Sequence, residues 1–267
     1  MILIKIGGGK QINWEYIAKD IAALISTGEK VIVVHGASVV RDEIAEQLGV
    51  PTKIITSPSG IPSVYTDEKA LEILLMAYCG LTNKKIVAKM QSYGINAIGL
   101  SGVDGKLWEA KRKDAVYAVE NGKEKLITDN LTGKVEKVNT KLMLLLIENN
   151  YIPVITAPAV SSTGEIVNMD NDWASAVMAG ALHVEKMVVL FEAPGMLKDV
   201  DNQASVIQKI KKEELSKYMS YAKGRMKKKL LGAQKAFELG LGKMYWGDGR
   251  IPHPVFKALG GKGTVIS

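Results

Sequence analysis

Lys5 sits inside an apolar run, Ile2 to Ile6, that meets three glycines, Gly7, Gly8 and Gly9, and then Lys10. A lysine flanked by isoleucines on a buried strand is costly to desolvate unless its ammonium meets an anion. Two placements resolve this. On an edge strand Lys5 reaches solvent; at the C-terminal end of an inner strand it reaches the crevice where open α/β sheets bind ligands. The glycines form a tight strand-to-helix turn. Such a turn either only redirects the chain or aims backbone N–H groups at an anion near the next helix start. The stretch is not a P-loop, because Lys10 is followed by Gln11 and the glycine spacing fails, and it is not GxGxxG.

Three further stretches carry groups that could act with it. In "VVHGAS" a second apolar run ends in Gly36, Ala37 and Ser38, small residues that let a ligand approach the backbone. "NMDND", Asn168 to Asp172, opens a helix. Either Asp170 or Asn171 simply caps that helix, or Asn168 holds a polar substrate group and Asp172 organises lysines. A carboxylate between two ammonium groups holds both in place and keeps both protonated. "KGRMKKK", residues 223 to 229, has five basic residues in seven. It reads as a solvated helix face, or as a helix that points one or more of Lys227, Lys228 and Lys229 into a cleft while Met226 packs inward.

The elements that must position these groups follow from periodicity. Short apolar runs alternate with amphipathic segments, which predicts a mostly parallel sheet covered by helices on both faces. Strands are expected at 2–6, within 30–36, at 95–100, within 151–160, within 185–195 and, late in the chain, within 242–250 and 263–267. Helices are expected after Asn13, a plausible N-cap, and over 38–48 ending at Gly49. A long helix over 67–93 is expected to break near Gly80. Between about 105 and 136 the pattern turns to period two with an Asn121-Gly122 turn signal, which predicts one or two hairpins at the sheet edge or over a cleft. Helices follow over 139–149, 171–183 and, as one or two pieces, 213–240. A boundary near residue 180 would divide an N-terminal lobe, 1–180, from a C-terminal lobe, 181–267.

Composition narrows the class. With 267 residues, 47% hydrophobic and 24% charged, the chain has an ordinary globular makeup and ample material for a core. No apolar run approaches the roughly 18 residues of a membrane helix, and Lys5 interrupts the first run, so neither a membrane partner nor a signal peptide is expected. Cys79 is the only cysteine and the three histidines are widely spaced, which excludes an intramolecular disulfide and argues against a protein-built metal centre. Cytoplasm is the expected compartment. The net charge of +7 suits phosphate ligands, nucleic acid or an acidic protein. Nucleic-acid binding would interleave aromatic residues with the basic ones; the 223–229 cluster has none, so nucleic acid is not expected as a partner.

"KIGG", "VVHG", "YTD", "NKKIV", "GLSGVDG", "IPVITAPAV", "VNMDND", "APGML", "GRMKKK" and "DGR" occur in that order along almost the whole chain. This set resembles the amino acid kinase superfamily, within it the acetylglutamate kinases, and more closely the branch that phosphorylates aminoadipate or glutamate linked to a small carrier protein in lysine biosynthesis. The resemblance implies an α/β fold, a three-layer αβα sandwich with a central, mainly parallel sheet. It implies an ATP-dependent kinase with Mg²⁺ held mainly by the nucleotide phosphates, an acidic amino-group carrier protein as partner, and a homodimer or higher homo-oligomer. By position, Lys5 and Lys229 would stabilise the transition state and Asp172 would organise them. Gly36, Ala37, Ser38, Val64 and Asn168 would line the acceptor site. Gly7 and Gly8, the stretch Phe191 to Met196 with Pro194 and Gly195, and Asp248 with Gly249 would meet the nucleotide. The chemistry asks for such a set, since an anionic carboxylate must attack an anionic phosphoryl group. One ammonium 4 Å from the transferring group contributes roughly 4 kcal/mol of attraction at an effective dielectric of about 20.

Two departures bear on the acceptor. Val64 stands where relatives typically carry an arginine that clamps the acceptor's α-carboxylate, and valine offers no such contact. Ala37 stands where relatives usually have another glycine. Acetylglutamate kinase acting on the free acid is the alternative enzyme, which the loss of the clamp at Val64 disfavours; the departures also leave a relative without turnover or with another acceptor.

Overall fold

In a computed structural model of the chain, every residue except Asn121 and Lys223 is described. Strand β1 (Ile2–Ile6) leads to α1 (Trp14–Ser26), β2 (Val31–His35) and α2 (Ser38–Gln47). A short ladder, β3 (Ile54–Thr56) and β4 (Pro62–Val64), precedes α3 (Glu68–Leu75) and α4 (Asn83–Gln91). Next come β5 (Ala97–Ser101), β6 (Trp108–Arg112), β7 (Val116–Glu120), β8 (Lys123–Ile127), β9 (Gly133–Val138) and α5 (Thr140–Glu148). Then follow β10 (Ile152–Thr156), β11 (Ala159–Val160), β12 (Ile166–Val167), α6 (Asn171–Ala181) and β13 (Lys186–Phe191). The chain closes with β14 (Lys209–Ile210), α7 (Arg225–Glu238), β15 (Lys243–Asp248), α8 (Pro254–Leu259) and β16 (Thr264–Ile266).

The main sheet has the order β14-β16-β15-β13-β1-β2-β10-β5. The strands from β15 to β5 run parallel, and β16 and β14 run against them. The edge-strand placement of Lys5 is therefore ruled out: β1 lies between β13 and β2, and all five of its residues are buried. Alternation along the strand decides where its side chains go. Ile2, Ile4 and Ile6 share a core with α1, α4 and α8, whereas Leu3 shares one with α5, α6 and α7. Lys5, two residues beyond Leu3, points to the α6 and α7 side.

The two halves of the sheet meet at β1. Strands β2, β10 and β5 lie to one side, and β13, β15, β16 and β14 to the other. The turns that leave β1, β2, β13 and β15 gather at the carboxyl ends of parallel strands where the strand order reverses, the usual ligand crevice of an open α/β sheet.

Two expectations need correction. The long helix does not break at Gly80. Residues Met76–Thr82 form a π-helical segment that joins α3 to α4 without a gap, and Ala77 and Tyr78 within it are buried against α2. A glycine weakens a helix by about 1 kcal/mol but does not end one that tertiary packing holds. The period-two region does not extend the main sheet. β6 pairs with β9 and β11 in a separate four-stranded sheet, and β7 pairs with β8 as a hairpin of its own. Of the turn signal there, Asn121 lies outside the described residues.

The first two glycine turns pack against each other. Ser38 Oγ and Val39 N–H both donate to the Gly8 carbonyl, at 3.2 and 3.1 Å. A Cβ on Gly8 would overlap the backbone nitrogens of Ala37 and Ser38, and one on Gly36 would lie 2.9 Å from Gly8 N. Glycine at these two positions is thus required by backbone contact. Gly8→Ala is expected to lower stability by about 1–3 kcal/mol through overpacking, a fall of several degrees in melting temperature; an unchanged midpoint in a thermal melt would show that the turns can separate.

Candidate active site

Three charged side chains from three elements meet below these turns. Lys5 Nζ of β1 lies 2.6 Å from Asp172 Oδ1 of α6, and Lys229 Nζ of α7 lies 3.2 and 3.3 Å from the two oxygens of the same carboxylate. Asp170 caps α6, its carboxylate accepting the N–H groups of Asp172 and Trp173 at 2.9 and 3.0 Å, which places Asp172 in the first turn. A carboxylate there is favoured by the helix dipole. Gly232 lets α7 close on that turn, since a Cβ at Gly232 would lie 3.0 Å from the Asp172 backbone. Lys229 is three residues before Gly232 on the same helical face. Lys229 also lies 5.3 Å from the Phe191 ring centre, within cation–π range.

The titration of the three groups follows from this sharing. Burial alone would lower the Lys5 pKa, but the charge and hydrogen bond of Asp172 raise it above its ordinary value. Burial lowers Lys229, Asp172 offsets part of this, and the neighbouring Lys5 charge adds to the fall, leaving it at about 8. Burial would raise Asp172; the two ammonium groups outweigh it and hold the carboxyl well below its usual range. At neutral pH the set carries two positive charges and one negative, a net positive site for an anion.

Unpaired backbone donors lie in the two packed glycine turns. Among the described residues, the N–H groups of Gly8, Ala37 and Ser38 have no protein acceptor. Arg225, at the start of α7, donates to Ser38 Oγ at 3.2 Å, and Lys228 approaches Asp170 at 3.7 Å. The basic run thus reaches across to residues of the N-terminal half; Lys223, its first member, lies outside the described residues. Lys10 pairs instead with Glu43 on the surface at 3.2 Å.

A model of the amino acid kinase family matches residues 1–244. The chain belongs to the amino acid kinase family. Among its relatives, a [LysW]-aminoadipate kinase of Deinococcus radiodurans is 46% identical, the match covering all of this chain and 91% of the relative. A protein of the same name from Thermus thermophilus is 43% identical over the full length of both. The crystal structure of smu.665 from Streptococcus mutans, 20% identical, superposes with a TM-score of 0.79 over all of this chain and 98% of the other, a likeness of fold. The three-layer fold expected from the sequence is the fold of this amino acid kinase family member.

The remaining candidates fall into two groups. Asn168 Nδ2 donates to Thr66 Oγ1 at 2.9 Å, two residues after Val64 on the β4 stretch. Phe191 ends β13, Pro194, Gly195 and Met196 follow it, and Met196 N–H is held by Thr264 Oγ1 at 2.8 Å. Asp248 and Gly249 adjoin Phe191, yet their groups are engaged within the fold: Arg250 binds both Asp248 oxygens at 2.8 and 2.7 Å, and Gly249 donates to the Phe191 carbonyl at 2.9 Å.

Sequence reasoning passed over His35. It is fully buried, and burial lowers its pKa to about 4, so it is neutral. Its ring contacts Asn83 Nδ2 at 3.0 Å and the Gly36 carbonyl at 3.3 Å, and its carbonyl accepts from Thr156 Oγ1 and Asn171 Nδ2 at 3.0 and 3.3 Å. A histidine ending a run of valines and isoleucines was the available signal.

The Lys229 value sets a pH dependence. Its charged form persists below about pH 8 and is lost above it. The kcat/KM for the anionic co-substrate is expected to fall about tenfold per pH unit above that point. A profile flat to pH 10 would show that Lys229 is not the group required in its protonated form.

Proposed function

We propose that this chain is an ATP-dependent kinase that phosphorylates the side-chain carboxylate of aminoadipate, or glutamate, whose amino group is attached to a small acidic carrier protein. The product is an acyl phosphate of lysine biosynthesis; the glutamate reaction would serve arginine biosynthesis. The observation that carries the reading is the Lys5–Asp172–Lys229 set at the sheet's switch point, in a chain whose 43–46% identical relatives are named as kinases of LysW-linked aminoadipate.

The acceptor carboxylate is ionised at neutral pH, so no general base is needed. One of its oxygens attacks the γ-phosphorus of ATP, the bond to the β–γ bridging oxygen breaks, and ADP leaves with that oxygen. ATP supplies the phosphoryl group, and Mg²⁺, held mainly by the nucleotide phosphates, offsets part of their charge. Lys5 and Lys229 approach the equatorial oxygens from two elements and offset the repulsion between two anions. Asp172 fixes both ammonium groups. The Gly8 N–H donates to the phosphoryl in flight. Gly36, Ala37, Ser38 and Asn168, with Val64, line the acceptor side, in residues 1–180. Phe191 to Met196 and the Asp248–Gly249 turn flank the nucleotide, in residues 181–267. The net charge of +7 suits an acidic carrier. The enzyme works in the cytoplasm as a homodimer or larger assembly.

A coupled ADP-release assay tests this. Carrier-linked aminoadipate is expected to turn over, with kcat/KM about 100-fold or more above free acetylglutamate, because remote binding energy from the carrier supports the chemical step. No turnover at saturating ATP in a folded sample, or a preference for the free acid, would overturn the assignment.

A further inference from the structure

Arg41 is a buried cation with donors to spare. It lies on α2, one turn beyond Ser38, and is 7% exposed. Its Nε and one terminal nitrogen both donate to a single oxygen, Asp42 Oδ1, at 3.0 and 2.7 Å, and that oxygen also accepts from Thr52 Oγ1 at 2.7 Å. A guanidinium has five N–H donors; among the described residues the other three have no protein acceptor, and the terminal nitrogen that is unbonded is not sealed from solvent. Arg41 lines a cavity of about 270 Å³ between α2, α3 and the β3–β4 ladder. Arg41, Lys53 and Asp67 supply its charge, and Val50, Val64 and Ile73 part of its apolar wall. Asp67 caps α3 by accepting the Ala70 N–H at 2.9 Å. Lys53 lies 5.2 Å from the Tyr65 ring centre and, among the described residues, makes no ion pair.

The cavity shares two elements with the acceptor side of the cleft. α2 contributes Ser38 to the glycine turn and Arg41 to the cavity. The β4 stretch contributes Val64 to the cavity and, two residues on, Thr66, which holds Asn168. A cation beside an aliphatic wall recognises a carboxylate on a short aliphatic chain. We propose that Arg41, with Lys53, binds the acceptor carboxylate that is not phosphorylated, the role for which Val64 has no donor. This rests on the acceptor being dicarboxylic, as proposed above.

Equilibrium titration tests it without requiring turnover. The probes are carrier-linked 2-aminoadipate and carrier-linked 5-aminopentanoate, which keeps the carboxylate to be phosphorylated and lacks the other. The wild type is expected to bind the dicarboxylate about tenfold or more tightly, the size of a charge-assisted contact. In Arg41→Gln the preference should fall below about threefold, in Lys53→Gln it should fall partway, and in Arg41→Lys part of it should return. A purely structural role for Arg41 would weaken both probes alike. An Arg41→Gln protein that keeps the full preference, or a wild type with none, would overturn the proposal. If Arg41→Gln does not fold, the Lys53→Gln ratio decides, and an unchanged ratio there would overturn it. Arg41-dependent binding without ADP release would instead sink the kinase reading and leave this subsite standing.

Discussion

The structure depends on one carboxylate serving two ammonium groups. Asp172 touches Lys5 at 2.6 Å and Lys229 at 3.2 Å, and all three side chains lie largely out of water. Either lysine left alone there would lose its proton or find another anion. Together with Asp172 they form a set that is one charge short of neutral. An incoming phosphoryl group can supply the missing negative charge, so the electrostatic design favours an anion in that space. Lys229, at about 8, is the member nearest to losing its proton.

Much of the surrounding fold follows from bringing these three together. β1 has to be an inner strand so that Lys5 is shielded, and its alternation has to send Lys5 toward α6 and α7. Asp170 has to end the loop before α6 so that Asp172 falls in the first turn. Gly232 has to lack a side chain so that α7 can close on α6. Gly8 and Gly36 allow two turns to pack backbone on backbone, with the N–H groups of Gly8, Ala37 and Ser38 left without a protein acceptor among the described residues. Two further members of the basic run reach residues of the N-terminal half, Arg225 on Ser38 and Lys228 on Asp170.

Part of this was legible in the residues. The apolar runs and capping residues mark the central strands and most helices, because a strand buried on both faces has little choice of composition. Asn13 and Asp170 cap α1 and α6. Whether Lys5 lay at an edge could not be read locally, since strand order is set by long-range pairing. Only the ordered motifs along the chain linked Lys5, Asp172 and Lys229, which are separated by 167 and 57 residues. The π segment through Gly80 was hidden because packing of Ala77 and Tyr78, not propensity, keeps the helix going. The second sheet was seen as hairpins but not as a separate layer, since β6 finds β11 some fifty residues away. His35 gave no signal beyond being a polar residue in an apolar run, and Arg41 none beyond being one charge among several on α2; their meaning lies in contacts that only the fold creates.

The central claim, that Asp172 holds two buried ammonium groups which would otherwise repel, is tested most directly by a stability cycle in urea. Asp172→Asn alone is expected to cost about 3–5 kcal/mol, the loss seen when one member of a buried charge pair is removed. Adding Lys229→Met to it should return at least about 1 kcal/mol, because the second uncompensated cation is gone. An Asp172→Asn protein within about 0.5 kcal/mol of the wild type, the range of an ordinary surface change, would contradict the account.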